Sequence, residues 1–172
     1  MTVARVELGR FHGLDLGTAP SARKAPARNV RCTSARDARY WARVSTATHG
    51  VVVRVEPSYL PRQSNPRERR FVFAYRVWIS NEGPTKVQLR RRHWVITDAV
   101  GVVREVRGEG VVGAQPLIEP GASYEYTSGC VLETPWGTMH GSYELERPGG
   151  STFEATIAPF LLAHPSVDSS AN

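Results

Sequence analysis

The stretch Phe71-Val72-Phe73-Ala74-Tyr75-Arg76-Val77-Trp78-Ile79-Ser80 decides the fold class of this chain. Large apolar side chains occupy every second position in it, namely Phe71, Phe73, Tyr75, Val77 and Ile79. Because successive side chains of a β-strand point to opposite faces, these five residues lie on one face of a strand. The other face is mixed in character. The pattern therefore predicts a long strand with one face buried in a core.

A second long strand is predicted from about Val87 to Asp98, after the turn-forming residues 81–84. Its apolar positions change phase halfway along, being first odd and then even: Val87 and Leu89, then Trp94 and Ile96. Regular pairing would turn half of this apolar set into water, and one extra residue restores it to the core. The change of phase thus predicts a β-bulge near Arg91.

Four cationic or titratable side chains stand at the predicted bulge: Arg90, Arg91, Arg92 and His93. Bulges re-aim side chains, so this group could form an anion site. It could equally be an exposed edge whose charges prevent aggregation. The residues alone leave both interpretations open.

Shorter patterns predict five further strands, at Val51–Glu56, Val102–Val106, Ser123–Thr127, Gly141–Glu146 and Thr152–Ile157. The first is expected to end at Pro57, and no regular pattern fits residues 58–69. No helix of ten residues is indicated. Seven short strands separated by turn residues predict an all-β fold, an antiparallel two-sheet β-sandwich.

Composition limits the classes of protein to which the chain can belong. Its 172 residues suit one domain with a tail, and no apolar run approaches the roughly 18 residues that a membrane helix needs, so membrane insertion is not expected. Cys32 and Cys130 lie far apart without a CxxC motif, which argues against a disulfide scaffold and a thiolate zinc site. No metal site is predicted, since His49, His93, His140 and Cys130 are not spaced as chelating pairs.

The net positive charge of the chain comes from its first quarter. Residues 1–47 hold nine basic and three acidic side chains, which accounts for the whole net charge of +6. We therefore divide the chain into a disordered basic leader (1–45), a β-sandwich domain (46–164) and a flexible tail (165–172). The leader is interpreted as a solvated tail or the product of a mis-assigned start codon, as a transit peptide, or as a nucleic-acid-binding arm. Nucleic-acid binding is expected only through this leader.

The segment Gly108-Glu109-Gly110-Val111-Val112-Gly113 matches the GxGxxG pattern of dinucleotide-binding folds. Pro116 follows too closely for a helix to begin there, and no βαβ unit surrounds the motif, so a Rossmann site is excluded. Two interpretations remain. The loop could form a nest of backbone amides that binds an anion, or its glycines could supply positive φ angles at a sharp turn.

No catalytic set is recognised in the sequence. GxSxG and HExxH motifs are absent. Cys130 would need a neighbouring base, and His140 is the nearest candidate along the chain. A buried structural role for Cys130 is favoured, because unpaired cysteines behave as small hydrophobes.

A series of ordered blocks across residues 46–163 resembles the ApaG domain family. The blocks are Tyr59-Leu60-Pro61, Gln63-Ser64, Phe71-Val72-Phe73-Ala74-Tyr75, Arg92-His93-Trp94-Val95-Ile96-Thr97-Asp98, Val106 to Pro116, Pro120-Gly121, Tyr124 to Gly129, Leu132-Glu133-Thr134-Pro135 and Gly137 to Tyr143. The resemblance implies an immunoglobulin-like or fibronectin type III-like sandwich. It also implies an association with cobalt resistance and magnesium efflux, and a pyrophosphate site at Gly108, Gly110 and Gly113.

These observations favour a non-catalytic, cytoplasmic binding module that recognises a protein partner or a phosphate-bearing ligand. The predicted ligand-binding residues are Gly108, Gly110, Gly113, Arg90, Arg92 and His93. The alternative is a nucleotide or pyrophosphate phosphohydrolase that uses the Gly108–Gly113 loop with a divalent ion. No cofactor is predicted, although an association with Mg²⁺ or Co²⁺ is left open. A homodimer through an edge strand is also left open.

Overall fold

The computed structural model describes residues 44–165. Its nine strands are β1 (Val44–Thr48), β2 (Val51–Tyr59), β3 (Phe71–Asn81), β4 (Val87–Asp98), β5 (Val103–Glu109), β6 (Leu117–Ile118), β7 (Ser123–Leu132), β8 (Trp136–Glu146) and β9 (Thr152–Ala163). Two single 3-10 turns, Pro61–Gln63 and Pro66–Glu68, separate β2 from β3. The predicted disorder of the leader up to residue 43 and of the tail from residue 166 lies outside the described residues.

The strands form two antiparallel sheets packed face to face. The first sheet has the order β1-β2-β3-β7 and the second β5-β4-β8-β9, with β6 pairing with β4 on the same side as β5. The sheets meet along β1 and β9, where the Thr46 and Thr48 hydroxyls accept hydrogen bonds from the Ala158 and Thr156 amides. The all-β, two-sheet sandwich predicted from the sequence is confirmed.

The core lies between the sheets and is built as the period-two pattern of β3 predicted. All five of its alternating apolar residues are buried. Aromatic rings join the two sheets there: Tyr75 of β3 contacts Trp94 of β4, and Trp94 contacts Tyr143 and Phe160, with ring centroids 5.4–6.0 Å apart. Edge-on contacts of this kind add stability beyond the burial of area.

The outer face of β3 is less exposed than its sequence indicates. Val72 and Ala74 point away from the core but are buried. The segment after β2 folds back over this face, since the Leu60 amide donates to the Val72 carbonyl and the Val72 amide donates to the Ser64 hydroxyl. The loop between β2 and β3 is therefore fixed against the sheet.

Several strands differ from their predicted bounds. β2 continues through Pro57 to Tyr59, which proline tolerates because the described pairing with β1 ends at Val55. Strands β7, β8 and β9 are each five or six residues longer than predicted. β1 and β6 were not predicted at all. β1 is short and follows the arginine-rich leader directly, and β6 has only two residues, so neither produces a readable periodicity.

The predicted bulge in the second long strand is confirmed. The register between β4 and β8 shifts between Leu89 and Arg91, which makes Arg90 the extra residue. A second irregularity lies between Met139 and Gly141, where β8 pairs with β9. The bulge at Arg90 places the β4 arginines next to the glycine-rich segment that follows β5.

Candidate functional site

The glycine loop, residues 108–116, is an excursion of the edge strand that runs beside β4. β5 pairs with Arg91–Thr97 of β4, and β6 pairs with Val87–Gln88, so the loop leaves the sheet opposite the bulge at Arg90. The Gly110 amide donates to the Arg90 carbonyl at 2.8 Å, and the Leu89 amide donates to the Pro116 carbonyl at 3.0 Å. Backbone hydrogen bonds thus join the bulge of β4 to both ends of the loop.

The loop itself is a tight hairpin anchored in the core. Val111 and Ala114 exchange two backbone hydrogen bonds, of 2.8 and 3.0 Å, around Val112 and Gly113, whose φ angles are +50° and +78°. Val111 is fully buried. Gly110 also has a positive φ, and a Cβ there would lie 2.1 Å from the Ala114 carbonyl oxygen. The turn-forming interpretation is confirmed for Gly110 and Gly113.

Arg92 reaches the loop from the inner face of β4. Its Nη1 donates to the carbonyl oxygens of Glu109 and Gly110, both at 2.8 Å. Gly108 gives the guanidinium room, because a Cβ at that position would lie 3.0 Å from its nitrogens. The loop therefore turns two carbonyls toward Arg92, whereas the amides of Gly110, Val111 and Ala114 already donate to carbonyls. Anion binding by this loop stays a prediction.

Arg90 joins the base of the loop to β8. Its Nε and Nη2 donate to the two carboxylate oxygens of Glu146, at 2.7 and 3.2 Å. The hydrogen bond from Arg90 lowers the pKa of Glu146. The Gln115 amide group donates to the Arg90 carbonyl at 3.2 Å. The bidentate pair fixes the arginine fork in one orientation.

His93 lies on the outer face of β4, away from the inner-face Arg92. Its Nε2 is 3.0 Å from a carboxylate oxygen of Glu105, to which Arg107 also donates at 3.2 Å. The hydrogen bond with His93 lowers the pKa of Glu105 most, and the hydrogen bond from Arg107 lowers it further. The structure thus brings Arg90 and Arg92 to the glycine loop and places His93 in a separate ion-pair group.

Three tyrosines that the sequence analysis did not name as site residues lie in the core near Arg92. The hydroxyls of Tyr126 and Tyr143 form a hydrogen bond with each other, and Tyr75 lies beside Tyr143 and Ser128. Burial raises the pKa of all three, and the nearby Arg92 charge offsets only part of that effect. The three phenols are therefore neutral at physiological pH and cannot act as bases there.

Cys130 is buried on the inner face of β7, as the sequence predicted. Burial raises the pKa of its thiol to about 12. His140, the base considered for it, is exposed on β8 of the other sheet, whereas Cys130 is buried in the core. Because only the thiolate is nucleophilic, this side chain is chemically inert in the folded protein.

We expect iodoacetamide to leave Cys130 unmodified in the folded protein near neutral pH. Burial denies the reagent access and keeps the thiol protonated. Peptide mass spectrometry reads Cys130 separately from Cys32, and the same chain in denaturing urea is the control, in which labelling is rapid. Labelling of Cys130 at equal rates in both conditions would contradict the packing of β7.

Residues 44–165 contain neither a metal-ligand cluster nor a membrane-spanning helix. No group of three or more His, Cys, Asp or Glu side chains in that part of the chain is placed to hold a metal ion. The same residues contain no helix with the length and apolarity to cross a membrane.

Comparisons with known proteins give matches that cover half of the chain or more. The model of the ApaG domain family matches residues 61–147. Protein ApaG of Paramagnetospirillum magneticum is 54% identical over 121 residues, covering 70% of this chain and 93% of that protein. Protein ApaG of Pseudomonas aeruginosa is 53% identical over 122 residues, covering 71% and 97%. A crystal structure of the ApaA protein from Bordetella pertussis has a TM-score of 0.66 at 53% identity, covering 67% of this chain and 94% of that one.

Proposed function

This chain belongs to the ApaG domain family, and on that premise we propose that it is a non-catalytic binding module whose ligand is a protein partner. The observation that carries the proposal is a set of exposed apolar side chains on the outer face of the second sheet. Such a patch on a rigid sandwich is typical of a protein-binding surface.

The patch follows the pairing of the strands. Val103 of β5, Thr97 of β4, Thr138 of β8 and Leu161 of β9 are consecutive partners across the sheet. Val103 and Leu161 at the two ends of this row are 56% and 48% exposed, and Trp136 beside it is 37% exposed. We call the three exposed apolar residues, Val103, Leu161 and Trp136, the apolar row; the two threonines between Val103 and Leu161 are not counted in it.

The state of the titratable groups supports a binding role over a catalytic one. The buried tyrosines and Cys130 are held in their neutral forms by desolvation. Arg90 and His93 are paired with carboxylates, and Arg92 donates to carbonyls of the glycine loop. Catalytic sites usually hold an acid or base whose pKa is moved toward neutrality, and desolvation here moves these groups away from it.

On this proposal, the association with cobalt resistance and magnesium efflux that the family resemblance implies is indirect and acts through the partner in the cytoplasm. The alternative is a phosphohydrolase that uses the Gly108–Gly113 loop. It would require Arg90 and Arg92 to exchange their present partners, Glu146 and the loop carbonyls, for phosphate oxygens.

We expect a photo-crosslinking residue placed at Leu161 to yield a discrete protein adduct in cells, because the apolar row would then lie within the interface. The same residue at Thr127, on the outer face of the first sheet, is the control and should yield none. Phosphate release from ATP or pyrophosphate with Mg²⁺ should not exceed that of the buffer. Absence of an adduct together with phosphate release above the buffer level would reject the proposal and favour the hydrolase.

A further inference from the structure

Three loops gather at one end of the sandwich, and we call residues 60–70, 99–102 and 133–135 the loop end. They are adjacent because β3 begins opposite the end of β7, at Phe71 and Leu132, and β4 ends opposite the start of β8, at Asp98 and Gly137. The Ala99 amide donates to the Thr134 hydroxyl, which links two of the loops directly. Loops clustered at one end of a rigid sandwich are a recurrent site of recognition.

The first of these loops carries a concentration of arginines that the nearly neutral charge sum of the domain conceals. Four exposed arginines lie within nine residues: Arg62, Arg67, Arg69 and Arg70. In the part of the chain that the structure describes, none of them forms an ion pair, whereas Arg76, Arg90 and Arg107 are each paired with a glutamate. Glu68 is the single acid among residues 62–70, and Arg70 Nε donates to the Gln63 carbonyl at 3.5 Å. No guanidinium of this loop is paired with a carboxylate, so the loop can bind an acidic ligand.

The backbone of the arginine loop is held in one conformation before any ligand arrives. The Ser64 hydroxyl donates to the Leu60 carbonyl and accepts from the Val72 amide, both at 2.8 Å. Asn65 and Arg70 exchange two backbone hydrogen bonds, of 2.7 and 3.0 Å. A pre-ordered loop loses less conformational entropy when it binds, and this increases its affinity.

The second loop adds exposed aliphatic side chains to the same end. Val100 is 72% exposed and Val102 is 49% exposed. The Asp98 carboxylate accepts hydrogen bonds from the amides of both valines, at 3.0 and 2.9 Å, so the tip is fixed. Trp136 of the apolar row follows the third loop directly, which makes the loop end continuous with that row.

We propose that the loop end docks an acidic segment of the protein partner, one that carries apolar side chains among its carboxylates. This inference rests on the proposed function and names the surface and the chemistry that it uses. All four cations are arginines, whose planar forks pair with carboxylates in a bidentate manner and which are enriched at protein interfaces. A single-stranded nucleic acid would require a series of exposed aromatic rings, and the exposed apolar residues here are mainly valines.

An amide NMR titration of the full chain tests this proposal, with a short synthetic peptide that alternates glutamate and leucine as the probe. We expect saturable shifts at residues 62–70 and 99–102. The residue-level readout is needed because the leader also carries net positive charge and attracts acidic peptides without specificity. Raising the salt concentration should weaken the shifts at residues 62–70 more than those at 99–102.

Two matched triple variants separate the loop end from general attraction of charge. Neutralising Arg62, Arg67 and Arg70 to glutamine should weaken peptide affinity at the loop end by about tenfold or more. The control removes the same charge elsewhere, by Lys86→Gln, Arg107→Gln and Arg147→Gln, and should change affinity by less than about twofold. Val100→Ser should weaken it by about threefold, since one exposed side chain is lost.

Each contrary outcome has a distinct meaning. Peptide shifts confined to the glycine loop or to the leader overturn the placement at the loop end. An absence of shifts in a protein that still forms the adduct at Leu161 overturns this inference and leaves the proposed function intact. Shifts at the loop end with a single-stranded oligonucleotide, or with phosphatidylglycerol vesicles, and none with the peptide overturn the acidic-segment assignment.

Discussion

Substitution of Gly141 by alanine is expected to destabilise the protein severely. Gly141 lies in β8 between Trp94 of β4 and Ile157 of β9, in the middle of the second sheet. A Cβ at this position would lie 1.9 Å from the carbonyl oxygen of His93. The obstacle is backbone of a central strand, so relief would require β4 and β8 to separate.

The cost of this substitution is steric, because Gly141 does not have a positive φ. We expect a loss of about 4 kcal/mol or more, a size that only a few mechanisms produce. That loss is a large part of the roughly 5–15 kcal/mol that stabilises a typical domain. Soluble yield and urea denaturation measure it directly.

Gly121→Ala is the matched control. Gly121 has a φ of +75°, and a Cβ there would meet no atom within 4 Å. Only the backbone preference is lost, so a soluble protein destabilised by about 1–2 kcal/mol is expected. Equal stability of the two variants would show that β4 and β8 do not approach each other as described.

The sequence predicted the strands in which apolar and polar residues alternate, and it missed the parts of strands that are defined by pairing with neighbouring strands. β3 and the phase change in β4 were readable because alternation along one strand reports burial on one face. β8 was predicted from Gly141 onward, whereas it begins at Trp136. The irregularity at His140 and the glycines at 137 and 141 break its period, and only pairing with β4 and β9 shows that this part is a strand.

In the candidate site, too, the sequence predicted features of the local backbone and missed contacts between residues far apart along the chain. The sequence placed the bulge and the turn-forming glycines, which are local properties of the backbone. It gave no signal for Glu146 as the partner of Arg90, because that contact joins residues 56 positions apart. A net charge summed over the whole domain also concealed the four arginines of residues 62–70, among which Glu68 is the single acid.

Arg92→Met is expected to release the glycine loop and to lower the free energy of unfolding by about 2–3 kcal/mol, a typical value for hydrogen bonds to a charged group. Methionine retains much of the apolar volume beside the core tyrosines and removes the donor that Glu109 and Gly110 share. Urea denaturation gives the stability, and hydrogen exchange at the Gly110 and Val111 amides reports the loop.

Arg91→Met is the control for this variant. Arg91 is exposed on the opposite face, and its guanidinium lies 3.9 Å from Glu144, too far for a strong pair. A change within about 0.5 kcal/mol is expected there.

The Arg92 result distinguishes the two interpretations of the glycine loop. If Arg92 is a structural donor that holds the loop, its loss accelerates hydrogen exchange at the loop amides whether or not pyrophosphate is present, because two carbonyls lose their donor. If Arg92 is instead an anion ligand, exchange in the ligand-free protein stays unchanged and only pyrophosphate-induced shifts are lost. The two hydrogen bonds of 2.8 Å to loop carbonyls favour the structural role. The Arg92 guanidinium would have to break these hydrogen bonds before it could bind a phosphate.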